Sequence, residues 1–159
     1  MTDADLLPPS IDPDKKALGI RRVSARNEAS TRTVIMVRDH VVITDEKGLN
    51  TGPTPLEMTL SSLLGCEGVI INRCAEAMNF AYTAVDMEAD GEVDQRGSRG
   101  VQGVRPYFNW VRMRIRIHTE EPQERLDRLV RNVESRCPVM NLFKSADVAL
   151  DVRWERVAP

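Results

Sequence analysis

Three cysteines are the side chains of this sequence best equipped for chemistry, and they differ in setting. Cys66 lies in "SLLGCEGVIINRC", between Gly65 and Gly68, inside an apolar stretch that runs from Thr51 to Met78. A glycine inside a helix costs about 1 kcal/mol relative to alanine, so the segment is weakened on both sides of its thiol. The same glycines remove side-chain bulk, which lets another helix or a ligand approach the sulfur closely. In mid-helix Cys66 gains little from the helix dipole, and any activation must come from a nearby cation. Cys137 precedes Pro138 in "SRCPVMNLF". A Cys-Pro pair at a helix start sets the sulfur where unsatisfied backbone N–H groups favour a thiolate. Cys74, among Ile71, Ala75 and Met78, reads as a small core hydrophobe. Cys66 and Cys137 are then either core hydrophobes too, or a pair that meets in the fold and cycles between dithiol and disulfide. A metal site built from Cys66, Cys137, His40 and His118 is disfavoured, because no two of them have a CxxC or HxxxH spacing.

The elements that must position these thiols belong to a chain of 159 residues, long enough for one domain with a sizeable core. With 42% hydrophobic and 29% charged residues and a formal net charge of −2, its balance favours neither nucleic acid nor an anionic membrane surface. The opening "MTDADLLPPSIDPDKK" has acids and prolines where an export signal needs basic and then apolar residues. No apolar run approaches the ~20 residues of a membrane span. A cytoplasmic location is expected, and three cysteines in a reducing compartment are not a disulfide framework.

Residues 1–30 carry Pro8, Pro9 and Pro13 and only a faint helical pattern at "DKKALGIRRVSAR", which suggests an N-terminal arm or extension; residues 31–159 read as the domain proper. Two β-branched runs, Thr33–Val37 and Val41–Thr44, are joined by Arg38-Asp39-His40 as a hairpin. A long helix follows from near Leu56, with Pro55 suited to its first turn, to about Asn79, which is about 36 Å at ~1.5 Å per residue. "VDMEADGEVD" then alternates Val85, Met87, Ala89, Gly91 and Val93 with five acids, and "VRMRIRIH" alternates Val111, Met113, Ile115 and Ile117 with Arg112, Arg114 and Arg116. Period two gives each strand one buried and one wet face. An acidic wet face beside a basic one predicts antiparallel pairing, which accounts for the arginine row without nucleic acid. "EEPQERLDRLVRNVESR" is an amphipathic helix with Leu126, Leu129, Val130 and Val133 on one stripe. A short helical turn at Cys137-Pro138 and a closing strand around Val148, Leu150, Val152 and Trp154 complete the chain. The order ββ–α–ββ–α–β predicts an α+β fold, a mainly antiparallel sheet wrapped around a long central helix.

"GPTPLEMTLSSLLGC", followed about seventy residues later by "SRCPVMNLF", resembles the OsmC/Ohr family of thiol-dependent peroxidases. The order of elements is similar too, and the likeness covers about residues 30–156. The resemblance implies an intertwined homodimer with sites between subunits and no cofactor. It also implies a hydroperoxide substrate and an external dithiol reductant. Under it Cys66 is the peroxidatic thiolate, Cys137 the resolving thiol, and Arg38 of the hairpin the cation that steadies the thiolate and orients the peroxide. Cys66 attacks the hydroperoxide and becomes a sulfenic acid, which Cys137 condenses to a disulfide.

Two positions depart from that pattern. The hydroperoxide-specialised branch has a glutamate directly after the proline, where this chain has Leu56; Glu57 comes one step later, a rotation of about 100°. Lying nine residues before Cys66, Glu57 faces away from it and suits a first-turn acid at the helix dipole. Glu67 directly follows Cys66, and a carboxylate pointing inward there raises a thiol pKa. The resemblance is therefore to a less specialised branch, and the alternative is a non-enzymatic thiol redox sensor or small-molecule binder on the same fold.

Overall fold

The computed structural model describes residues 6–159. The chain forms two compact units, Pro9–Thr59 and Leu60–Pro159, the latter joined by residues 6–8. In the smaller unit, strands β1 (Ser24–Asn27), β2 (Thr33–Val37) and β3 (His40–Thr44) make an antiparallel sheet in that order. The β2–β3 hairpin is the predicted one, and its turn puts Arg38 in the left-handed region at φ 54°. The faint helical pattern before it forms no helix: residues 17–23 are irregular, and β1 begins at Ser24. Leu18, Ile20 and Val23 all stay exposed there, so no apolar face is buried to offset the cost of nucleating a helix.

The loop after β3 is organised by one carboxylate. Asp45 is buried and accepts from the Thr31 and Thr51 hydroxyls and the Glu46 N–H, which together hold it below the usual carboxylate range. Its own N–H donates to the Pro53 carbonyl at 3.1 Å. This delivers the chain to helix α1 (Pro55–Met78). The start of α1 is a capping box: the Thr54 N–H and hydroxyl both donate to Glu57 Oε2, at 2.7 and 2.9 Å, and the Glu57 N–H returns to the Thr54 hydroxyl. Glu57 is thus the first-turn acid expected, with a carboxyl lowered chiefly by the Thr54 backbone.

In the larger unit a second sheet runs β4 (Ala84–Val93), β5 (Phe108–His118) and β6 (Ala149–Val157). The short α2 (Gln95–Ser98) sits in the glycine-rich β4–β5 loop. The charge complementarity between β4 and β5 is realised in register, with Asp86 opposite Arg116, Glu88 opposite Arg114 and Asp90 opposite Arg112. The closest N–O distances of these pairs are 4.0, 3.6 and 3.6 Å. Such solvated pairs set register more than they add stability. β6 joins the other edge of β5 in parallel, because the chain between them crosses over through α3 (Gln123–Arg136) and α4 (Pro138–Ser145).

The core is built from α1, β5, α3 and α4: Leu63, Ile71, Val111, Met113, Ile115, Ile117, Leu126, Leu129 and Val133 have no exposed surface. α1 ends where Asn79 turns left-handed at φ 48° and the Phe80 N–H reaches back to the Ala75 carbonyl at 2.8 Å. Arg125 of α3 then takes the last carbonyls, Met78 and Asn79, at 3.0 and 2.7 Å. Buried Asn132 on the same helix accepts the Leu7 N–H at 2.7 Å, so the chain at residues 7–8 is held against α3. No described helix is long and apolar enough to cross a membrane.

Thr54 caps the first turn of α1, so Thr54→Ala should cost about 1 kcal/mol of stability. A lowered melting temperature with unchanged circular dichroism is the expected result.

Candidate functional site

Helix α1 buries Leu63, Glu67, Ile71, Cys74 and Ala75. These follow one another at helical spacing and form one stripe, so Glu67 occupies a position that the pattern reserves for an aliphatic side chain. Cys66, one residue earlier and so about 100° around the helix, sits at the edge of that stripe and is half-buried. Cys74 lies within the stripe at 2% exposure, and burial pushes its thiol up. It is a core residue, as its setting suggested.

Cys137 comes to the same place from the other side of the unit. It ends α3 and caps α4, with Pro138 opening the helix and the Met140 N–H donating to Cys137 Sγ at 3.4 Å. The cap geometry is therefore the one read from Cys-Pro, but its electrostatic consequence is reversed. Cys137 has no exposed surface, and burial pushes its thiol far above the ordinary range. The Met140 N–H pulls the other way and is outweighed, while Glu67 and then Cys66, both in contact with Cys137, push it further up. Removing a charge from water costs more here than one backbone dipole returns.

Glu67 completes the cluster. It has no exposed surface, and among the described residues no nitrogen or oxygen donor reaches either carboxylate oxygen. The polar neighbour that bears on it is the Cys137 thiol. Burial raises its pKa, Glu134 adds to the shift, and Cys137 and Lys144 oppose it. Burial thus makes the protons of both Glu67 and Cys137 harder to lose than those of the free side chains.

Of the residues expected at a site, the structure brings Cys66 and Cys137 together in the larger unit, both reduced. Arg38 stands exposed at the β2–β3 turn of the smaller unit. A Cβ at Gly65 would meet nothing within 4 Å, and one at Gly68 would meet only the Met87 methyl at 3.4 Å. Neither is required by crowding within this chain. His118 is held by Asp86 at 2.9 Å on the wet face of the sheet, and among the described residues no three His, Cys, Asp or Glu side chains converge as metal ligands. The buried role of Glu67 was missed, although the spacing 63–67–71–74 carried the signal. "TPLE" likewise signalled the capping box that employs Glu57.

A β-sheet carrying a long helix, whose half-buried thiol meets a second thiol at the cap of a short helix, defines an α+β protein with a helix-borne cysteine pair. A family model described as "OsmC-like protein" matches residues 47–152, and the chain belongs to that family. Solved structures agree in fold. An OsmC-like protein from Mycoplasma pneumoniae superposes with TM-score 0.77 at 20% identity, covering 91% of this chain and 99% of that one. The organic hydroperoxide resistance protein OsmC of Legionella pneumophila gives 0.60 at 16% identity, over 89% and 98%. The organic hydroperoxide resistance protein OhrB of Bacillus subtilis gives 0.59 at 18% identity, over 89% and 100%. No curated protein matches the chain.

Two outcomes follow from this geometry. A thiol reagent such as iodoacetamide should label Cys66 in the folded protein, whereas Cys74 and Cys137 should react only after denaturation; peptide mass spectrometry distinguishes the three. Burial raises the folded pKa of Glu67 above its reference value of 4.5, so the folded chain keeps a proton that the unfolded chain loses. The stabilising difference is present at low pH and drains away as pH rises through that range. Glu67→Gln should therefore gain melting temperature relative to the parent on going from about pH 5 to about pH 8. Parallel curves would contradict the burial argument.

Proposed function

We propose that this protein reduces hydroperoxides with two cysteines in defence against oxidative stress. The observation that carries this is the half-buried Cys66 thiol beside the fully buried, reduced Cys137 thiol. Only the first has a route to a solvent-borne oxidant, and only the second is shielded until its partner has reacted. Cys66 attacks the distal oxygen of the hydroperoxide; the O–O bond breaks, the alcohol or water leaves, and a sulfenic acid remains. Cys137 then displaces that hydroxyl as water and forms the disulfide, which an external dithiol reduces.

Arg38 is assigned the cation that steadies the Cys66 thiolate and orients the peroxide, on the strength of its place at the hairpin turn. A homodimer is supported by two features: the smaller sheet has open edges at β1 and β3, and Met36, Val41, Leu56 and Val69 are exposed. We place the protein in the cytoplasm. Leu56 favours a second reading, because it is exposed where a peroxide-orienting carboxylate is expected. In that reading the same thiol pair senses redox state or accompanies a bound small molecule without turnover.

Consumption of tert-butyl or cumene hydroperoxide with a dithiol reductant separates the two. Cys66→Ser should abolish turnover, Cys137→Ser should stop after one equivalent, and Cys74→Ser should change only stability. Loss of the Arg38 charge in Arg38→Met should lower the rate about 100-fold, as for removal of one oriented donor. No peroxide consumption by the parent with its thiols intact would sink the enzyme.

A further inference from the structure

The proposed cycle leaves a proton unaccounted for. Cys137 must lose its thiol proton to attack, because the thiol itself is a poor nucleophile. Yet its sulfur has no contact with solvent, so no water or buffer base can collect that proton. The hydroxyl leaving Cys66 needs a proton at the same moment. Beside Cys137 stands Glu67, a carboxyl with no exposed surface, with no nitrogen or oxygen donor on either oxygen among the described residues, one position along α1 from Cys66. Burying such a group without a partner is costly, and a leucine or methionine in the α1 stripe avoids that cost.

We propose that Glu67 is the proton carrier of the resolving step, taking the Cys137 thiol proton and supplying one to the hydroxyl that leaves Cys66. This rests on the two-cysteine reading above. A neutral carboxylic acid has both an O–H donor and a carbonyl acceptor, and can do both at once. Cys137 Sγ attacks Cys66 Sγ; the S–S bond forms and the S–O bond of the sulfenic acid breaks. The Cys137 proton passes to the carbonyl oxygen of Glu67 while the Glu67 O–H proton passes to the departing hydroxyl, which leaves as water. Glu67 ends neutral, the Cys137 sulfur is oxidised, the Cys66 sulfur is reduced, and no further reactant is consumed.

Burial shifts Glu67 towards the protonated form that this exchange needs. The other ionisable groups around the cluster are Cys74 on α1, Glu134 and Arg136 at the end of α3, and Lys144 on α4. Lys144 is exposed and donates to the Glu134 carbonyl at 3.4 Å, so it is engaged at the surface rather than at the thiols.

The test follows a single turnover of the full-length reduced protein with one equivalent of tert-butyl hydroperoxide. Dimedone trapping reports the Cys66 sulfenic acid, and non-reducing mass spectrometry reports the disulfide. Glu67→Gln keeps the shape and Glu67→Met keeps the volume without polarity, so the pair guards against one variant misfolding. In both, the sulfenic acid should form at the parental rate, and the disulfide about 100-fold more slowly, as for loss of a general acid–base group. The pH profile adds a readout that packing does not move. Without Glu67 the resolving rate should climb about tenfold per pH unit with the Cys137 thiolate fraction, whereas the parent should be nearly flat. Disulfide formation at the parental rate in both variants overturns the assignment, as does an equal slowing of both steps. If Cys66 of the parent takes up no oxygen at all, the peroxidase reading falls first and this assignment with it.

Discussion

The structure turns on a carboxyl placed where the helix pattern calls for a hydrocarbon. Glu67 lies in the buried stripe of α1 between Leu63 and Ile71, with no nitrogen or oxygen donor to compensate its burial. Its neighbours are the thiols, and this makes it an electrostatic device as well as a liability. Burial raises its own pKa and that of Cys137 beside it. A charged residue in a core usually meets a counter-charge or a hydrogen-bond network. Here it meets sulfur.

The rest of the architecture holds that cluster in place. The Asp45 loop and the Thr54–Glu57 capping box set where α1 begins. Arg125 and the left-handed Asn79 set where it ends. β5, shielded on its inner face by Val111, Met113, Ile115 and Ile117, is flanked by β4 through a charge ladder and by β6 through a crossover. The corner of that crossover, between α3 and α4, is Cys137. The crossover that returns β6 in parallel carries Cys137 to Cys66.

Much of this was legible from residue order. The period-two strands, their opposite charges, the amphipathic α3 and the Cys-Pro helix start all depend on neighbours within a few residues, and each appears where expected. The helix read between Leu56 and Asn79 runs from Pro55 to Met78. What was not legible was how burial would act. Cys-Pro correctly gave the cap at Cys137, and the Met140 N–H does donate to its sulfur. The conclusion that this favours a thiolate failed because desolvation by distant segments outweighs a local dipole.

By itself the sequence determined the α+β class, the family pattern, the two informative cysteines and the capping chemistry of α1. These are local properties, set by side-chain alternation, spacing and turn residues. Only the tertiary structure decided that Cys137 is sealed from solvent while Cys66 is not, and that Glu67 is brought against Cys137. It also decided that the last strand returns in parallel. The reason is the same in each case: burial and proximity are sums over residues far apart in the chain, and a thiol's protonation follows that sum rather than its nearest neighbour.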